Sequence, residues 1–133
     1  LRVLRKTIKL LVPGVTLDQV QEEVCKMIDN ECIRLGLYTE QDKAAHPDKK
    51  FYYGYYMHGV SHFLGLDVHD VGTRQVVLQK GMVVTCEPGI YIESEGIGVR
   101  LENDIIVDEN PIDLMIDIPI EADEIEELMR KDK

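Results

Sequence analysis

Apolar residues recur every three or four positions from Leu17 through Val20, Val24, Ile28 and Cys32 to Leu35. That spacing lays one continuous stripe along a helix of 3.6 residues per turn. Thr16-Leu17-Asp18-Gln19 opens the stripe with a capping box, in which the Thr16 hydroxyl serves an orphan amide and Gln19 reaches back to the cap. Gly36 closes it, because glycine accepts the turn that ends a helix. A rougher stripe at positions 1, 3, 4, 8, 10 and 11, with Arg2, Arg5, Lys6 and Lys9 between, predicts an earlier helix that stops at Pro13-Gly14. The chain begins with Leu1 inside that stripe, so natural sequence upstream of it is expected.

The pattern changes after the second helix. Glu40 to Lys50 is charged and contains His46-Pro47, which disfavours helix before the proline, and reads as a loop or short irregular insertion. Phe51 to Met57 is aromatic and strand-like, with four of the six tyrosines, and is expected to serve as core or pocket wall. Gly81 to Glu87 is a β-branched run broken by Pro88-Gly89 and resumed at Ile90 to Ile92; Glu93 to Gly98 is a polar turn; Val99 to Val107 runs back. These runs form an antiparallel hairpin folded near residues 94 and 95. Pro111 to Ile118 reads as an apolar connector, and Ala122 to Arg130 as an acidic amphipathic helix after Pro119. No internal repeat interrupts this order.

Folding that hairpin sets Glu87 about opposite Glu102, within a residue or two. Like charges opposite one another on neighbouring strands destabilise a sheet, so something must neutralise them. Arg100, on the same face as Glu102, offers a simple ion pair; a divalent cation is the other possibility.

Composition narrows the classes of function. With 133 residues and 44% hydrophobic content, the chain is sized for one domain, or part of one, with a real core. Fifteen basic against twenty-five acidic residues give a formal charge of −10, which repels nucleic acid and anionic membranes. Five of the acids lie between Glu121 and Glu127, as expected of a solvated helix face. No apolar run approaches the roughly 20 residues of a membrane helix. Three cysteines without a C-x-x-C pair suggest reduced thiols in a cytoplasmic protein.

Three of the four histidines, His58, His62 and His69, fall within twelve residues. They would share a helix face, but Gly59, Gly65, Gly72, Val60, Val68 and Val71 argue against a helix. Nor is this the helical zinc-protease motif, since Gly59 stands where that motif needs glutamate. Singly, each histidine fits a hydrogen-bonded core residue. Together, with glycines admitting close approach and Asp67 and Asp70 alongside to fix a tautomer, they suggest a metal or catalytic site. His46, in the charged loop, has no such company.

The run His58-Gly59-Val60-Ser61-His62-Phe63-Leu64-Gly65-Leu66-Asp67-Val68-His69-Asp70-Val71-Gly72, followed by Val84-Thr85-Cys86-Glu87-Pro88-Gly89-Ile90-Tyr91 and by Gly96-Ile97-Gly98-Val99-Arg100-Leu101-Glu102-Asn103-Asp104, resembles the signature of the pita-bread metallopeptidases. The match is to the aminopeptidase P and prolidase branch and extends from Pro13-Gly14-Val15-Thr16 through Val107; Ser61 leans toward bacterial aminopeptidase P. The methionine aminopeptidase branch has a shorter, different histidine segment. The resemblance implies an α+β fold, a curved antiparallel sheet backed by helices with the site on its concave face. It implies metal ligation by His62 and Glu87, with Glu102 bridging two metals; catalytic roles for His69 near the scissile carbonyl and His58 along the substrate site; and support of the carboxylates by Arg100. The implied cofactors are two divalent ions, manganese or else cobalt or zinc, and the implied partner is a peptide with proline second.

One part of the family pattern is missing. The family also uses two aspartates from strands preceding the Pro-Gly-Val-Thr helix, and nothing before Leu17 is acidic. Asp18 and Asp29 cannot replace them, because eleven helical residues separate them by roughly 16 Å. The expectation is therefore a truncated pita-bread domain: residues 1–133 as the C-terminal portion of a catalytic domain, with three of five ligands, metal-free or weakly loaded, and inactive alone. The longer protein is expected to be a cytoplasmic, homo-oligomeric Xaa-Pro aminopeptidase. A prolidase restricted to dipeptides is the alternative, and a non-catalytic protein-binding relative a more remote one, since such relatives lose ligands that are present here.

Overall fold

A computed structural model of the chain describes residues 1–131. Helix α1 (Arg2–Ile8) and helix α2 (Leu17–Arg34) form as their stripes predict. The Thr16 hydroxyl accepts from the Gln19 amide and the Gln19 side chain accepts from the Thr16 amide, so both halves of the capping box are made. Leu17, Val20, Val24, Ile28 and Cys32 are buried, and Val3, Leu4 and Thr7 turn from α1 into the same core. On the rim between the helices, Arg2 grips Glu31 with two bonds of 3.0 and 2.5 Å, and Arg34 adds a third at 2.7 Å. The Arg2 hydrogen bond, aided by Arg34 and opposed by partial burial, holds the Glu31 carboxyl down to about 2.

Two expectations for residues 40 to 57 need correction. Glu40 to Lys50 is not wholly irregular: α3 (Glu40–Ala45) starts at a second capping box, in which Thr39 and Asp42 serve each other's amides, and ends at His46 before Pro47. Phe51 to Met57 is not a strand. Phe51–Gly54 is a 3-10 turn, and the amides of Tyr55 and Tyr56 both donate to the Tyr52 carbonyl at 2.9 Å. Its inward residues are Phe51, Tyr52, Tyr55 and Tyr56, paired at a helical offset of four rather than a strand's two. Tyr38 packs between Phe51 and Tyr55, with ring centroids 5.2 and 5.9 Å away, and the aromatic cluster closes over α2.

The hairpin has the expected register but is made in two pieces. Strand β1 (Val83–Cys86) pairs with β4 (Asn103–Ile106), Cys86 opposite Asn103; β2 (Gly89–Ile92) pairs with β3 (Ile97–Arg100), Gly89 opposite Arg100. The single run expected from Val99 to Val107 is thus interrupted at Leu101-Glu102. Pro88 lacks an amide proton, so the ladder stops at Glu87-Pro88 and is bridged only by the Leu101 amide reaching the Pro88 carbonyl at 3.3 Å. A two-residue strand, β5 (Ile112–Asp113), adds to β4 within the expected apolar connector. Val84, Cys86, Ile105 and Val107 face the helices and complete the core, where burial pushes the Cys86 thiol up to about 12.

Helix α4 (Ala122–Lys131) is exposed along its described side chains, and a pair between Glu121 and Arg5 of α1 ties down its start. Among the described residues, no helix is long and apolar enough to cross a membrane.

Candidate metal centre

The histidine segment is not helical, as its glycines and valines require. Residues 60 to 63 instead run antiparallel to β1 on the side away from β4. The Glu87 amide donates to the Val60 carbonyl at 2.8 Å, the Thr85 amide to the His62 carbonyl at 3.0 Å, and Phe63 bridges Val84. His62 therefore lies opposite Thr85, while Glu87, two residues on and just past β1, shares the Thr85 face. Continuing the register across the ladder gap sets Glu102 opposite Glu87. Strand geometry alone thus brings His62, Glu87 and Glu102 to one face from three separate stretches of chain.

Ligand atoms of these three residues all lie within 4.8 Å of one another, the one such group of histidine, cysteine and acidic residues among the described residues. The His62 Nδ1 is 2.9 Å from the Phe63 carbonyl, which can only accept. Nδ1 therefore carries a proton, and Nε2, the ring nitrogen turned to the group, lies 3.3 Å from Glu87 Oε1. One imidazole nitrogen with two carboxylates is a donor set suited to manganese, cobalt or zinc. Arg100 approaches as well, Nε 3.8 Å from Glu87 and Nη2 3.5 Å from Glu102. Both distances exceed the 2.7–2.9 Å, approximately, of a charge-assisted hydrogen bond, and the Arg100 side chain is half exposed. It eases the repulsion between the glutamates without occupying their lone pairs, so the donor set remains open to a cation.

The other expected site residues gather around this group. His58, His62, His69, Glu87 and Arg100 line one open cavity of about 410 Å³. The His69 ring stands 4.3 Å from the His62 ring. His58 donates from Nδ1 to the Gly59 carbonyl at 2.7 Å and accepts at Nε2 from the Tyr91 hydroxyl at 2.9 Å. The expected tautomer-fixing role of Asp67 and Asp70 is not seen; main-chain carbonyls set the His58 and His62 tautomers. Asp70 shapes the loop, accepting from the Leu66 and Val71 amides at 2.9 and 2.7 Å. Its carboxylate leaves no room for a side chain at Gly65, where an added Cβ would lie 2.1 Å from Oδ2. Asp18 pairs with Arg74 and Gln75, and Asp29 with Tyr38 and Lys43, so neither joins the group. His46 packs near Phe51 instead.

Three contributors escaped the sequence reading. The Thr85 hydroxyl lies between His62 and Glu87, accepting from the His62 amide at 3.0 Å and donating to Glu87 Oε1 at 3.2 Å. Gln21 of α2 clamps the histidine segment, accepting from the Val60 amide at 2.7 Å and donating to the His58 carbonyl at 3.2 Å. Tyr91 orients His58. Signals for the first two exist: Thr85 stands two before Glu87 on a strand, and Gln21 is a polar residue four after Leu17, inside an otherwise apolar stripe.

The sequence model for metallopeptidase family M24 matches residues 1–109. The Xaa-Pro aminopeptidase of Haemophilus influenzae is 39% identical over 143 residues, a match covering 97% of this chain and 33% of that protein. The Escherichia coli Xaa-Pro aminopeptidase is 35% identical over 142 residues, covering 97% and 32%. The solved structure of zinc-substituted E. coli aminopeptidase P in complex with product superposes with a TM-score of 0.84 at 33% identity, covering 99% of this chain and 33% of that one. The chain spans about a third of the length of these relatives, and over that third its α+β arrangement is that of the pita-bread fold. Matched by the family's sequence model over most of its length and by its members over nearly all of it, the chain belongs to metallopeptidase family M24.

Proposed function

We propose that the protein containing this chain is a metal-dependent Xaa-Pro aminopeptidase, releasing the N-terminal residue from peptides with proline second. The observation that carries the proposal is the convergence of His62, Glu87 and Glu102 ligand atoms within 4.8 Å beside a cavity lined by His58, His69 and Arg100. The likeness to proteins named Xaa-Pro aminopeptidase supports the substrate class. The scissile bond in such peptides is a tertiary amide with a fixed φ, which general peptidases handle poorly.

In this reading His62, Glu87 and Glu102 would hold the metal. Divalent ions, manganese in the cell with cobalt or zinc as substitutes, would supply the charge that lowers the pKa of a water and polarises the carbonyl. His62 offers Nε2 because its Nδ1 proton is held by the Phe63 carbonyl. His69, beside it, donates to the carbonyl oxygen as negative charge develops there. His58 lines the substrate side in an orientation set by Tyr91, and Arg100 restrains both carboxylates.

One imidazole and two carboxylates fall short of the carboxylate-rich set that two hard dications need. The remaining ligands, two aspartates, belong in this reading to upstream strands of the longer protein, of whose catalytic domain this chain forms the C-terminal portion. By itself the chain binds metal weakly and is inactive. A cytoplasmic, homo-oligomeric enzyme belongs to the same reading, with three free cysteines among the described residues supporting the compartment.

The test is to assay the full-length protein, metal-stripped and reloaded with Mn²⁺, on a tripeptide Xaa-Pro-Yaa and a dipeptide Xaa-Pro. Metal-dependent release of the first residue from the tripeptide is expected. Cleavage of the dipeptide alone would make the enzyme a prolidase, and no cleavage of either would refute a peptidase.

A further inference from the structure

We propose that Thr85 is a positioning residue that locks His62 and Glu87 into one unit, so that affinity for metal depends on its hydroxyl. The inference rests on the metal-dependent reading above and concerns a residue that coordinates nothing itself. Thr85 lies in the middle of β1 and is 2% exposed. Its main-chain amide donates to the His62 carbonyl at 3.0 Å, while its Oγ1 accepts from the His62 amide at 3.0 Å. The same oxygen donates its proton to Glu87 Oε1 at 3.2 Å.

The direction of each bond is forced. A main-chain amide can only donate, an ionised carboxylate can only accept, and a hydroxyl has one proton to pass on. The chain N–H to O–H to carboxylate therefore runs one way, each bond polarising the next. Its effect is to fix the Glu87 carboxylate at one oxygen and the His62 main chain at both its polar groups. Thr85 thus governs the two candidate ligands that come from different segments and have no other common restraint from a side chain of β1. Threonine suits the role better than a flexible residue, because its β-branch limits the rotamers that could swing the hydroxyl away.

Partners outside the ligand shell that orient ligands change metal affinity by about 10–100-fold when removed. The experiment uses the full-length protein, stripped with a chelator and titrated with Mn²⁺, following uptake by calorimetry and by the electron paramagnetic resonance of free Mn²⁺. Melting of the stripped protein is read in parallel. Thr85→Val keeps the shape and deletes the hydroxyl, Thr85→Ala deletes it with more room, and Thr85→Ser restores it. The expected result is a Mn²⁺ affinity lowered by about 10–100-fold in the valine and alanine variants and restored by serine.

A valine variant that melts lower but binds Mn²⁺ like the unsubstituted protein would reduce Thr85 to a structural residue and overturn the inference. So would a serine variant that binds as poorly as valine, or loss of the fold in both hydroxyl-less variants. An unsubstituted protein that takes up no Mn²⁺ refutes the metal-dependent reading and this inference with it; tight uptake, unchanged by valine, refutes this inference alone.

Discussion

Glu87 faces Glu102 just past the end of the β1–β4 ladder, in the two-step gap before the β2–β3 ladder begins. Arg100 stands 3.5–3.8 Å from both carboxylates. Glu102→Gln should therefore stabilise the metal-free full-length protein by about 0.5–1 kcal/mol, by removing like-charge repulsion across the strands. The same change should abolish tight Mn²⁺ uptake. Melting of the stripped protein and a Mn²⁺ titration check the two halves; a stripped variant less stable than the unsubstituted protein would contradict the first.

His62 and His69 stand ring to ring but should fail differently when replaced. His62→Ala is expected to lose metal, since its Nε2 is the one nitrogen in the group. His69→Ala should retain metal and lose about 10²–10³-fold in kcat, the effect of removing one donor to a developing oxyanion. Metal analysis beside steady-state kinetics on a tripeptide separates the two; metal loss in the His69 variant would move that residue into the ligand set.

The rim between α1 and α2 should be acid-sensitive. The Glu31 carboxyl, held by Arg2 and Arg34, titrates near 2 in the folded chain against an ordinary 4.5. A depressed folded value means stability that is complete above about 4.5 and is lost as the pH falls through about 2. The magnitude is small, about 1 kcal/mol, because Arg2 is solvent-exposed. Melting temperatures of the unsubstituted chain and Glu31→Gln, followed from pH 6 to 2, should converge at the acid end, and curves that remain parallel would show that Glu31 contributes nothing there.

Gln21 joins α2 to the histidine segment through main-chain atoms, so Gln21→Leu leaves the Val60 amide and the His58 carbonyl without partners. A destabilisation of about 1–3 kcal/mol is expected in chemical denaturation, the cost of unsatisfied buried groups. A loss below that range would mean that water replaces the side chain.

Much of this architecture is legible in the residues. The α2 stripe and its capping box are local, and both form as read. The hairpin centre near residues 94 and 95 follows from the polar turn, and it alone suffices to set Glu87 against Glu102. The features that differ depend on context, or on a local pattern set within a charged segment. Thr39 and Asp42 repeat the box seen at Thr16 and Gln19, yet the charge of the segment hid a short helix. The aromatic run from Phe51 favours strand by composition, but its inward positions are set by packing on α2 around Tyr38. A sequence displays the carboxylates beside the histidines, whereas the main-chain carbonyls that accept from the Nδ1 atoms of His58 and His62 depend on the local fold. Thr85 is silent in the sequence for a similar reason: its value comes from residues 60 to 63 lying beside β1, a pairing between irregular and regular chain that no periodicity announces.

That pairing ties ion capture to the interior of the domain. Because β1 is bonded by the histidine segment along one edge and by β4 along the other, its outward side chains cannot drift without tearing the sheet on which Val84 and Cys86 are packed. An arriving cation meets donors whose freedom was already surrendered during folding, and little rotational entropy is left to lose on capture.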